Sequence, residues 1–230
     1  MFLNSDKTIN EKSLIQMVKK QKWKKLRCAL GKIDKEERTI LCNILLMGNF
    51  LHQLCHEYAP VDIVRTVIEL LPNAISSLDS DYRTPLHIAA RSRCPANLIN
   101  VLISAYPSAA SVRDIKGRTP LILACDSGSD ILGCTVVGPQ ADVVQALVTA
   151  APEAIYAVDS RGKTALNYAV ENLSDEDVLT VLVRATRENQ QLKKKTFQVV
   201  VFENELRHVP GEIKAEERSF GCDDISLLSR

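Results

Sequence analysis

The chain has 230 residues, with 29 Lys and Arg against 28 Asp and Glu; 46% of it is hydrophobic and only 5% aromatic. That apolar content excludes a wholly disordered chain, and the near-neutral charge argues against a protein that coats nucleic acid. A full apolar content with so few rings implies a core of Leu, Ile, Val and Ala, which suits packed helices.

In chain order, Met1 to Asn10 has no apolar stretch after a basic start, so no secretory signal is expected. Residues 11 to 33 read as a degenerate helix pair. Leu14, Ile15 and Val18 form one stripe, and Trp23, Leu26, Ala29 and Leu30 form the next. Around the turn, Lys19, Lys20, Lys22, Lys24, Lys25 and Arg27 form a basic cluster with no acid among them. It suits the solvated face of a terminal unit, or contact with an acidic protein, an anionic membrane or nucleic acid. With Trp23 its sole interleaved aromatic, the nucleic-acid reading is weak. For residues 34 to 48 two readings stand: a helix opened by a capping box of Asp34 and Glu37, or a lengthened loop.

From there the sequence repeats itself. The segment DSDYRTPLHIAA (Asp79 to Ala90) recurs as DIKGRTPLILAC (Asp114 to Cys125) and as DSRGKTALNYAV (Asp159 to Val170). The threonines Thr84, Thr119 and Thr164 are thus 35 and 45 residues apart, and a weaker copy, Asn49 to Cys55, lies 35 before the first. A second block starts around Ile63, Leu98, Val143 and Val178, at offsets of 35, 45 and 35. A third, Pro-x-Ala at Pro72, Pro107 and Pro152, keeps the same step. Shared offsets across three blocks define a repeat.

Each block has a physical reading. Thr followed by Pro and an apolar run is a helix start: the hydroxyl caps free N–H groups, and Pro lacks an N–H where none is needed. Ala89 and Ala90 let helices approach closely. Ile63, Val64, Val67 and Ile68 make one apolar stripe of a second helix. Pro72, Pro107 and Pro152 end that helix. Gly117 and Gly162 permit a positive φ in the loop that follows, and Tyr82 stands where they would. One helix pair cannot cover its own apolar face, so the pairs must stack.

The 45-residue step contains an insertion. Leu86 to Leu98 spans 12 residues, as does Leu166 to Val178, but Leu121 to Val143 spans 22. The extra residues lie within 126–140, as a tolerated loop or as a flap carrying Ile131, Leu132, Val136 and Val137 to a partner. Beyond Arg187 the repeat signal is lost. Glu188 to Lys195 can prolong the last helix, Phe197 to Phe202 is β-prone, and the polar remainder reads as a mobile tail.

The chain carries no phosphate loop, dinucleotide fingerprint, HExxH or EF-hand pattern. Its seven cysteines are odd in number and form no CxxC, which supports neither a disulfide framework nor a zinc site; several fall at apolar-periodic positions and read as small buried hydrophobes. A reducing, intracellular location follows, with no transmembrane segment.

Thr84-Pro85-Leu86-His87-Ile88-Ala89 resembles the T-P-L-H-x-A core of the ankyrin repeat in full. Thr119, Pro120, Leu121 and Ala124 follow it without the His, and Thr164, Leu166 and Ala169 follow it in part. The resemblance implies an all-α solenoid of stacked helix-turn-helix repeats with loop or β-hairpin-like connections. Residues 1–48 would hold capping helices with the basic cluster, 49–186 about four repeats, and 187–230 a partly disordered extension. It implies a structural role for His87 and for His52 at the same repeat position. It also implies an intracellular (cytoplasmic or nuclear), monomeric, non-catalytic protein. Such a protein would need no cofactor, metal or small-molecule substrate, and would hold an acidic or mixed partner protein on its concave face. The contact residues so implied are Tyr82, Arg83, Lys116, Arg118, Arg161, Lys163 and Tyr168, with Asp79, Asp114 and Asp159 near enough to neutralise the cations. The alternative is a regulator whose basic N-terminal unit touches nucleic acid or an anionic membrane while the repeats bind protein.

Overall fold

The computed structural model describes residues 11–32, 49–126, 140–172 and 174–207. The chain divides into two compact units, residues 1–190 and 191–230. Ten helices lie in the described residues: α1 (Glu11–Lys19), α2 (Trp23–Leu30), α3 (Phe50–His56), α4 (Val61–Leu70), α5 (Pro85–Arg91), α6 (Ala96–Ala105), α7 (Pro120–Cys125), α8 (Ala141–Ala150), α9 (Ala165–Glu171) and α10 (Glu176–Arg207). No strand occurs among the described residues. The β-prone segment Phe197 to Phe202 is helical instead, its backbone continuing α10. In the second unit the described part is this continuation. The segment 34–48, the insertion residues 127–139 and the tail from residue 208 lie outside the described residues.

The first unit is a stack of helix pairs. Odd-numbered helices pack on one another as an inner layer, α1 on α3, α3 on α5, α5 on α7 and α7 on α9. Even-numbered helices form the outer layer, α2 on α4, α4 on α6 and α6 on α8. Apolar ladders run through both. The inner ladder is Leu14, Leu51 and Leu54, Leu86 and Ala89, Leu121 and Ala124, then Ala165 and Ala169, all buried. The outer one is Leu26, Val64, Ile99, Val144 and Leu182, again all buried. Alanine at positions 89, 124 and 169 keeps the inner helices close. Among the described residues, Phe50 and Tyr168 are the buried rings of this core. Cys55, Cys94 and Cys125 are buried as expected of small hydrophobes. Burial pushes the Cys94 and Cys125 thiols up to about 12, so they are poor nucleophiles.

Among the described residues, three of the connections from an inner to an outer helix share one turn. A left-handed residue (Gln21, Tyr58 or Arg93, φ 48–58°) lets the next N–H reach back into the inner helix. The bonds are Lys22 N–H to Met17 O (2.8 Å), Ala59 N–H to Leu54 O (3.0 Å) and Cys94 N–H to Ala89 O (3.0 Å), and Ser174 N–H repeats it to Ala169 O (3.0 Å). The N-terminal pair therefore has the same internal geometry as the repeats behind it. Each Pro-x-Ala block opens a 3-10 turn, Pro72–Ser76, Pro107–Ser111 and Pro152–Tyr156. The alanine N–H donates to the residue before the proline at 2.9–3.1 Å, turning the chain from the outer helix into the loop.

Histidines tie neighbouring repeats. Thr84 N–H donates to His87 Nδ1 at 3.1 Å, so the proton sits on Nε2, which donates to Arg118 O at 3.3 Å. His52 Nε2 reaches Arg83 O at 2.8 Å in the repeat before. In α9, Asn167 Oδ1 accepts from Thr164 N–H at 2.9 Å and from its hydroxyl at 2.7 Å. Asn thus keeps the near half of the histidine's function and drops the far donor. Burial, opposed by its hydrogen bonds, lowers His87 to about 4.

Two stability outcomes follow. Tyr82 takes φ 59° where Gly117 and Gly162 take 75° and 73°, so its turn survives at the cost of a left-handed non-glycine residue. Such strain costs about 1–2 kcal/mol, part of which glycine's freer unfolded chain gives back. Tyr82→Gly is expected to stabilise the protein by about 1 kcal/mol in urea melts. For His87 the folded pKa lies below the unfolded 6.5, so its contribution is complete above pH 6.5 and is lost as pH falls towards 4. The stability gap between wild type and His87→Asn is expected to shrink by roughly 2–4 kcal/mol across that window. A gap independent of pH would show that His87 is not buried neutral.

Candidate functional site

The loops that precede α5, α7 and α9 are built around one aspartate each. Asp79 Oδ1 accepts the N–H groups of Asp81 and Arg83, both at 2.9 Å. Asp114 Oδ1 accepts Lys116 N–H at 2.9 Å and Arg118 N–H at 2.8 Å, and Asp159 Oδ1 accepts Arg161 and Lys163 N–H at 2.9 Å. The second oxygen is engaged in two ways. In the first two loops it takes the arginine four residues on: Arg83 Nε at 2.9 Å from Asp79, and Arg118 Nε and Nη2 at 2.9 and 2.8 Å from Asp114. The third loop has Lys163 in that column, and the Tyr168 hydroxyl donates to Asp159 Oδ2 instead, at 2.6 Å. Lys163 then pairs with Glu171 at 2.6 Å and lies 5.5 Å over the Tyr168 ring.

These contacts set the charge states. Burial pushes the Asp79 and Asp159 carboxyls up, but the donors around them outweigh it and hold both below the usual carboxylate range. Burial, reinforced by the bond to Asp159, pushes the Tyr168 hydroxyl up to about 12, so it stays a donor. Adjacent loops are pinned by Ile115 N–H to Asp81 O (2.9 Å) and Ser160 N–H to Lys116 O (2.8 Å).

Between the second and third loops lies a polar hollow of about 380 Å³. Lys116, Arg118, Arg161, Lys163 and Tyr168, five of the seven contact residues implied by sequence, line it; Tyr82 and Arg83 do not. Arg91, from the end of α5, adds a cation that the sequence reading did not single out. The members differ in availability. Arg118 is largely buried between Asp114 (2.8 Å) and Asp126 (3.6 Å), and Arg83 is likewise held by Asp79 and Asp81. Tyr168 is 6% exposed, which corrects its reading as a projecting contact: its ring is core and its hydroxyl is engaged. Lys116, Arg161 and Arg91 are exposed, and none makes an ion pair among the described residues. Tyr82, at 59%, is exposed as expected of a loop tip.

The basic cluster is separate from the hollow. Lys19, Lys20, Lys22, Lys24 and Lys25 are exposed on the turn and first residues of α2, with no ion pair among the described residues. Arg27 differs, its Nε 2.7 Å from Asp62 on α4. Among the described residues no His, Cys, Asp and Glu cluster is placed to hold a metal, and no helix is long and apolar enough to cross a membrane.

Stacked helix pairs joined by aspartate-centred loops define a helical solenoid that presents one row of loops beside its inner helices. Residues 51–137 match the family model of ankyrin repeats in three copies. The chain therefore contains ankyrin repeats over this span, and its stack of helix pairs continues past the match through α8, α9 and α10. Ankyrin repeats are generally protein–protein interaction modules and typically non-catalytic. No curated protein matches the chain.

Tyr168→Phe leaves Asp159 Oδ2 without its donor in a buried setting. It is expected to cost about 1–2 kcal/mol at pH 7 and to move the acid unfolding midpoint upward, because Asp159 then protonates more readily. Urea melts at pH 7 and pH 4 measure both; an unchanged acid limb would mean that the hydroxyl does not hold the carboxylate.

Proposed function

We propose that the chain is a non-catalytic recognition module that holds a partner protein against the hollow between its second and third loops. The observation that supports this reading is that Arg91, Lys116 and Arg161 line the hollow and make no ion pair among the described residues, while Arg118 and Lys163 beside them are paired with carboxylates. Exposed guanidinium and ammonium groups in a concave polar site favour an acidic segment of the partner. The loops are fixed by aspartates and by bonds from loop to loop, so the surface is preformed and little ordering is lost on binding. Tyr82 extends the surface along the row of loops. It is exposed, and tyrosine is among the residue types that most often anchor interfaces.

A second reading rests on the five lysines of residues 19–25, which are exposed and make no ion pair among the described residues: a regulator whose basic end touches nucleic acid or an anionic membrane while the repeats bind protein. One comparison separates the two. Proteins retained by the full chain from a cell extract are expected to be lost, with affinity falling at least about tenfold, on Lys116→Glu/Arg161→Glu. The same proteins should be kept on Lys24→Glu/Lys25→Glu. The reverse pattern would favour the second reading, and equal retention by all three proteins would refute the groove. All four positions are exposed, so circular dichroism should be unchanged.

A further inference from the structure

The hollow is cationic in a particular way. Each carboxylate that lines it already has a partner: Asp126 faces Arg118, Glu171 holds Lys163, and Asp159 accepts two N–H groups and the Tyr168 hydroxyl. Arg161 helps hold Asp159 low without forming an ion pair. Among the described residues, the lining cations that remain without an ion pair are Arg91, Lys116 and Arg161, contributed by the end of one repeat's inner helix and by the next two loops.

A glutamate or aspartate side chain brings one charge and two oxygens to these three donors. A phosphomonoester brings about −1.5 to −2 and three strong acceptor oxygens, and guanidinium forks fit phosphate oxygens two at a time. The hollow, at about 380 Å³, has room for such a group and its neighbouring backbone. Its polar lining offers no seat for an apolar anchor. A polyanion fits less well. Residues 41–186 carry 10 basic and 15 acidic residues, a net negative charge that disfavours a nucleic-acid strand or an anionic bilayer spread along the repeat body. Tyr168, whose ring lines the hollow, is buried and offers no face for base stacking there.

We propose that this hollow binds a phosphorylated serine or threonine in an extended segment of the partner protein, with Arg91, Lys116 and Arg161 as its donors. The proposal rests on the reading of the hollow as the partner-binding surface. It makes recognition conditional on modification of the partner, and tighter at pH 7.5 than at pH 5.5, because the second ionisation of the phosphate lies near 6.

The test is fluorescence anisotropy of the full chain with degenerate peptide pools that differ only at a fixed central residue: phosphoserine, serine or glutamate. The phosphoserine pool is expected to bind at least about tenfold more tightly than either other pool. Lys116→Gln/Arg161→Gln should remove that preference without changing the melting temperature, and Lys24→Gln/Lys25→Gln should leave it intact. Equal binding of the phosphoserine and glutamate pools, no binding of any pool, or a preference that survives the groove substitutions would each overturn it. So would tighter, groove-dependent binding of an oligothymidine or of vesicles containing a phosphoinositide. Capture from extract treated with phosphatase separates this proposal from the reading beneath it. Partners that are lost on Lys116→Glu/Arg161→Glu but retained after dephosphorylation would refute phosphate recognition and leave partner binding standing.

Discussion

The carboxylate at the head of each loop is the interaction on which the exposed surface depends. Asp79, Asp114 and Asp159 each bind two backbone N–H groups through one oxygen, at 2.8–2.9 Å, and this closes the turn. The other oxygen then selects which side chain becomes part of the scaffold. Where the residue four positions on is arginine, the guanidinium is drawn inward. Where it is Lys163, Tyr168 takes over, and the lysine is released to Glu171. The residue two positions after the aspartate gives the carboxylate only its N–H, so its side chain stays outside. That is why Lys116 and Arg161 remain available while Arg118, in the same hollow, does not.

The loops are held in register by the layer beneath them. Alanines in the inner helices bring successive pairs close enough for a buried histidine to cross from one repeat to the loop of the next. His52 and His87 reach the carbonyls of Arg83 and Arg118, which belong to the same arginines whose side chains close the loops. Helix start, inter-repeat contact and loop closure therefore meet at one residue. At positions 122 and 167 the histidine is replaced by Ile and Asn, and this tie is given up. There the loop-to-loop bond from Ser160 to Lys116 and the bond from Asn172 Nδ2 to Cys125 O (2.9 Å) connect the repeats instead.

Much of the stack was legible because packing imposes the period that the sequence shows. Ile63, Leu98, Val143 and Val178 recur at fixed offsets because each meets the same neighbour in the next layer, and all four are buried. The site was legible only in part. Arg83, Arg118 and Lys163 share a column and read as one ladder of free cations, yet the first two are taken up by an aspartate four residues earlier. That spacing across a tight turn was visible, but only the folded loop brings the carboxylate under the guanidinium. Tyr168 aligns with Ile88 and Leu123, and this column was the available sign that its ring would be buried. Arg91 carries no motif, since it enters the hollow only through the stacking of α5 beside the following loops. The β-propensity of Phe197 to Phe202 was overridden by a helix already propagating from Glu176, to which each further residue adds a hydrogen bond.

Near-neutrality of the whole chain conceals how the charge is arranged. Residues 1–40 hold 11 basic and 5 acidic residues, residues 41–186 hold 10 and 15, and residues 187–230 hold 8 and 8. A repeat body that is acidic overall but gathers cations without ion pairs among the described residues in a hollow is selective in a way that a uniformly basic surface is not. Polyanions are disfavoured by the surrounding field, whose reach at physiological salt is about 8 Å. A compact anion seated in the hollow lies nearer to Arg91, Lys116 and Arg161 than to the body's acids, several of which are already neutralised within the loops. The lysines of residues 19–25 are exposed and make no ion pair among the described residues, so their attraction to anions is diffuse and falls with salt. These two groups of cations therefore differ in kind: one lines a hollow whose walls are set by the loop aspartates, the other lies open on an exposed turn.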